Sequence, residues 1–87
     1  RKMYIKNAEC EVSKMEETVL LMKKDDNSLH VLNETASLVW EHIEDRSVND
    51  IVALIVSKYN NASVDMVLQD VMKTINTLIE KGLVFSC

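Results

Sequence analysis

The hydrophobic pattern of this chain changes period once, at Asn33, and that change decides most of what the chain can become. Upstream of it, apolar residues alternate or run in short β-branched stretches. Downstream they recur every three or four residues. A period of two sends side chains to alternate faces of a strand, whereas a period of 3.6 lines them along one side of a helix. The chain therefore reads as a sheet followed by helices in one domain, residues 1–87. That length supports a single core and no deep cleft between two cores.

With one glycine and no proline to punctuate the chain, element boundaries rest on polar clusters. Cys10, Val12 and Lys14 alternate with Glu11, Ser13 and Met15, and Thr18 to Met22 is an aliphatic, β-branched run. These two strands form a hairpin about Glu16-Glu17. The polar turn Lys24 to Asn27 leads into a third strand, Ser28 to Leu32, which completes an antiparallel meander.

Beyond Asn33, the set Ala36, Val39, Trp40 and Ile43 marks the buried face of a first helix, Glu34 to about Glu44, with Asn33 as its N-cap. Ser47 followed by Asp50 imitates a capping box and opens a second helix that ends near Asn60. The third helix opens at Ser63 and carries apolar residues from Val64 to Ile79 over more than four turns. Gly82 follows as a left-handed C-cap, with Lys81 beside the negative helix end, and Leu83-Val84-Phe85 returns to the core or the sheet. Trp40 is expected in the core, its indole N–H meeting a local acceptor.

Composition removes several functional classes. A hydrophobic fraction of 47% with 28% charged residues is that of a folding domain. Fourteen acidic against ten basic residues give a net charge of −4, which repels phosphate backbones on average. The longest apolar run, Ile51 to Val56, is far short of the roughly 20 residues of a membrane-spanning helix. No secretory leader pattern opens the sequence, and two cysteines do not make a disulfide scaffold, so the expected setting is reducing and cytoplasmic.

The chemistry-bearing residues are sparse. Cys10, Cys87, His30 and His42 lack the short spacings that preorganise a zinc site, so neither a metal nor a cofactor is expected. There is no glycine-rich phosphate loop and no Gly-x-Ser-x-Gly elbow, and the carboxylate pairs Glu16-Glu17 and Asp25-Asp26 fall in polar turns. The chain reads as a binding module and not as an enzyme.

One group of residues carries a family resemblance. Leu32-Asn33-Glu34-Thr35-Ala36 with Val39-Trp40, then Ser47-Val48 leading to Ile51-Val52, then Val67, Val71, Ile75, Leu78 and Gly82-Leu83-Val84, is similar to the pattern of PqqD-like proteins over roughly residues 19–84. The chain departs from the better-known members in having Glu44-Asp45-Arg46, without glycine, between helices one and two. The resemblance implies an α+β, winged helix-turn-helix-like fold with a three-stranded antiparallel sheet followed by three helices (β-β-β-α-α-α). It also implies a role as a recognition element that holds the leader segment of a ribosomally made precursor peptide for a modifying enzyme, often a radical S-adenosylmethionine enzyme.

Strand addition at a sheet edge would serve such a role. The resemblance selects the third strand, Ser28, Leu29, His30, Val31 and Leu32, and the groove between it and the third helix. Val64, Val67, Leu68, Val71 and Met72 are the groove candidates on that helix, and the acidic balance favours a leader with Lys or Arg near its edges. Two other readings compete. A winged-helix transcription regulator would place Asp65, Gln69, Asp70, Lys73, Thr74, Asn76, Thr77 and Glu80 against DNA, a mixed and partly acidic set poorly suited to phosphate. A plain dimerisation module would pair the third strand with its own copy, so monomer and homodimer both stay open.

Overall fold

The computed structural model describes residues 3–87. Five strands and three helices follow one another as β1 (Tyr4–Lys6), β2 (Cys10–Met15), β3 (Thr18–Lys23), β4 (Ser28–Leu32), α1 (Glu34–His42), α2 (Val48–Lys58), α3 (Val64–Glu80) and β5 (Val84–Ser86). The three-stranded antiparallel sheet has the order β2-β3-β4 and precedes the three helices, as the change of period at Asn33 predicts.

Local chemistry accounts for each boundary. Met15 pairs with Thr18 across a two-residue turn in which Glu16 takes a positive φ of 56°, and Asn27 does the same at 58° before β4. Asp26 Oδ1 accepts from the Ser28 N–H at 2.9 Å, an Asx turn that starts β4. The three helices begin as expected on side-chain caps. Asn33 Oδ1 accepts from Ala36 N–H at 2.8 Å, Ser47 Oγ from Asp50 N–H at 3.1 Å and Ser63 Oγ from Met66 N–H at 3.4 Å.

The sheet turns Val19, Leu21 and Leu32 toward the helices, where they meet Val39, Ile51, Val71, Ile75 and Leu78 in one buried cluster. Ser37, the buried polar residue of this region, stands at the joint between sheet and helices. Its Oγ accepts from the Val19 N–H at 2.9 Å and donates to the Leu32 carbonyl at 3.1 Å. Val19 and Leu32 face each other in the β3–β4 register, so one hydroxyl bridges the last rung of that ladder where α1 splays away.

Two features extend the expected fold. Strand β1, which has no periodic signature, pairs with the tail strand β5 in a separate two-stranded sheet. Trp40 is 6% exposed, but its indole N–H meets no acceptor among the described residues. Its ring face instead takes the Lys6 ammonium, 4.2 Å from the centroid, which ties β1 to α1 through a cation–π contact. The Lys6 N–H also donates to Glu44 Oε2 at 2.8 Å.

Gly82 ends α3 at φ 72° with two bonds of a Schellman motif, Leu83 N–H to the Leu78 carbonyl at 2.9 Å and Gly82 N–H to the Ile79 carbonyl at 3.0 Å. A Cβ on Gly82 would lie 2.9 Å from Lys23 Nζ, and Asn7 Nδ2 donates to its carbonyl at 2.8 Å. Gly82→Ala should therefore lower stability by about 1–2 kcal/mol, through left-handed strain and displacement of Lys23. Urea denaturation checks this, and an unchanged midpoint would show that the turn relaxes freely. No helix among the described residues is long and apolar enough to cross a membrane.

Candidate functional site

β4 is an edge of its sheet, and the register tells which of its backbone groups face outward. The Lys24 N–H donates to the Glu9 carbonyl at 2.9 Å, so the groups of Lys24, Met22 and Leu20 point toward β2, and those of Lys23, Leu21 and Val19 toward β4. Their partners Ser28, His30 and Leu32 accordingly direct N–H and C=O at β3. By the same alternation Leu29 and Val31 direct theirs away from the sheet. These two residues are 61% and 68% exposed. No proline interrupts this edge, and it is five residues long.

Beside this edge lies an open cleft of about 280 Å³. Val31, Leu32 and Asn33 form one wall, Ala36 of α1 the floor, and Asp70, Lys73, Thr74, Thr77, Leu78 and Lys81 the wall on the α3 side. A second hollow of about 530 Å³ continues past Asp70 and Lys73 toward Val67, Met66 and the loop Asn61 to Ser63. Hydrogen bonding from the Tyr59 hydroxyl keeps the Glu34 carboxyl below its ordinary range, which links the start of α1 to the end of α2.

The expected site residues separate into groups. Leu29 and Val31 line the free edge, while Ser28 and His30 lie on the helix-facing side, half-buried, with Ser28 Oγ and His30 Nε2 2.8 Å apart. Leu32 is buried yet reaches the cleft. On α3, Val67 lines the second hollow, and Val64 is exposed at the first turn without lining either.

Val71 does not face the groove, because its side chain is wholly buried in the core. Leu68 and Met72 are half-buried against that core and line neither hollow. The reason is angular. At about 100° per residue, Leu68 and Met72 lie roughly 60° and 100° to one side of Val71, whereas Thr74, Lys81 and Asp70 lie about 60°, 80° and 100° to the other. Only the second flank turns toward β4. Apolar character marks both the core and one flank of α3, so it cannot separate them. The polar face of α3 supplies Asp70, Lys73, Thr74 and Thr77 to the cleft, and its local charge is not the acidic one that the whole chain suggests.

No group of three potential ligands gathers among the described residues, and Cys10 and Cys87 are both free. Burial raises the Cys10 thiol pKa above its ordinary value, in keeping with a side chain packed at the core margin.

The site thus consists of a sheet edge with outward backbone groups beside a helix-walled cleft, in a winged-helix-like α+β fold. The model of the family described as coenzyme PQQ synthesis protein D (PqqD) matches residues 17–84, and the chain belongs to the PqqD family. Among solved structures it is similar to "Lasso peptide synthetase B1 complexed with the leader peptide", with a TM-score of 0.84 and 20% identity over 94% of this chain and 96% of that one. It is also similar to "TbiB1 in Complex with the TbiA(beta) Leader Peptide", with a TM-score of 0.81 and 19% identity over 91% and 92% of the two chains. At these identities the likeness is one of fold. No curated protein matches the sequence.

Proposed function

We propose that this domain, acting as one recognition unit in a reducing, cytoplasmic setting, captures the leader segment of a ribosomally made precursor peptide. It presents that leader to a modifying enzyme, of which a radical S-adenosylmethionine enzyme is one kind, and contributes no catalytic group. The observation that carries this reading is the outward-facing backbone of Leu29 and Val31 beside a cleft walled by α3. The two solved structures of like fold, each described as a complex with a leader peptide, support the same use of the fold.

The bound leader would add a fourth strand to β2-β3-β4. About four backbone hydrogen bonds at ~0.5–1.5 kcal/mol net each, with two or three apolar anchors at ~1.5–3 kcal/mol each, must offset the costs of ordering and association. Affinity near the micromolar range, ~8 kcal/mol, follows. Such a complex forms and releases readily, as a carrier requires.

The test is an NMR titration of the isotope-labelled domain with the leader of a precursor encoded beside it, with duplex DNA as a control. Amide shifts at Leu29, Val31 and the α3 cleft wall are the expected result. Salt-sensitive shifts with DNA and none with peptide would replace this reading by the regulator one. Concentration-dependent shifts of β4 without any ligand would instead show that the edge pairs with its own copy.

A further inference from the structure

The cleft wall on α3 has the opposite charge balance from the chain as a whole. Lys73 and Lys81 stand on it with a single carboxylate, Asp70, in a protein whose net charge is −4. Ion pairs among the described residues engage Lys14, Lys23, Lys58 and His42, but neither Lys73 nor Lys81. Asp70 is one turn from Lys73 and still outside ion-pair reach of it. The two ammonium groups therefore hold no other part of the described structure in place, and both flank the space where a strand added to β4 would lie.

We infer that the captured strand is selected for two acidic side chains four residues apart, one for Lys73 and one for Lys81. The spacing follows if the added strand runs alongside α3, since eight residues of helix advance about 12 Å, and four residues of extended chain about 13 Å. An even spacing also keeps both carboxylates on the same face of the peptide strand, the one turned to α3. Asp70, beyond Lys73, repels a further acid at that end and gives the pattern a direction. This inference rests on the strand-addition reading and specifies its substrate class, an acidic extended peptide.

Selection of random displayed peptides against the whole domain tests it, with the amide shifts of Leu29 and Val31 identifying binders that add to β4. Those binders should be enriched in Asp or Glu at two positions four apart. Neutralising both lysines in K73Q/K81Q should weaken them about two- to thirtyfold at low ionic strength, and less in salt. The reversal K73E/K81E should move the preference to Lys or Arg at the same two positions, which a merely damaged fold would not do. Edge binders without acidic enrichment, or with unchanged affinity for K73Q/K81Q, would overturn the inference and leave strand addition standing. Binders that leave Leu29 and Val31 unmoved would overturn both.

Discussion

Val31→Pro should leave the domain folded and weaken leader capture by tenfold or more. The Val31 N–H points away from β3, so proline removes no bond of the sheet, and its ring takes the place of a side chain that is already mostly exposed. What it removes is an outward donor worth ~0.5–1.5 kcal/mol, and its ring stands where the incoming strand must pair. The neighbouring substitution His30→Pro is the control, because that N–H faces Leu21 inside the ladder and its loss should cost ~1–3 kcal/mol of stability. Isothermal calorimetry for binding and urea denaturation for folding distinguish the two. A folded Val31→Pro variant that binds the leader with unchanged affinity would remove β4 as the receiving edge.

Ser37→Ala should have the largest effect on stability of any single-atom deletion outside the apolar core. Its hydroxyl serves two buried backbone groups at once, the N–H of Val19 and the carbonyl of Leu32, at 2.9 and 3.1 Å. Alanine would leave both without a partner in a site that is 1% exposed. Each orphaned group costs ~1–3 kcal/mol, so a loss of about 2–6 kcal/mol is expected, or roughly 10–40 °C in Tm for a domain of this size. A loss below about 0.5 kcal/mol would mean that Val19 and Leu32 close the rung themselves. Because Leu32 borders the cleft, a stable remnant of the variant should also bind leader less tightly. Ser37 thus connects the packing of α1 to the position of the binding edge.

Both predictions turn on groups that the sequence marks unevenly. The edge strand is legible, since Ser28 to Leu32 follows a polar turn and precedes an N-cap, and its place as third strand of a meander makes it an edge. The caps at Asn33, Ser47 and Ser63 are equally legible, because a short polar side chain before an apolar periodic run has few other uses. Ser37 is not. A serine on the inner side of an amphipathic helix looks like an interruption of the stripe until the chain end of β3 is placed against it. Strand β1 is hidden for a related reason. Three residues show no period, and their partner β5 lies at the opposite end of the chain.

The α3 wall marks where sequence reasoning stops. Val64, Val67, Leu68, Val71 and Met72 are all apolar, yet Val71 is core and Leu68 and Met72 lie on the flank away from β4, while the cleft is bordered by Asp70, Lys73, Thr74, Thr77 and Lys81. Hydrophobic periodicity reports the direction of the core along a helix. It says nothing about which of the two flanks meets a neighbouring strand, since that depends on how the helix is rolled against the sheet.

By itself the sequence determined the order of the three sheet strands and three helices, the family, the helix starts and the strand that ends as an edge, because these follow from period, capping chemistry and chain order. Tertiary structure alone decided the pairing of β1 with β5, the hydroxyl that completes the β3–β4 ladder and the charge of the cleft. Those depend on contacts between residues far apart in the chain, whose relative orientation is set by packing and by no local pattern.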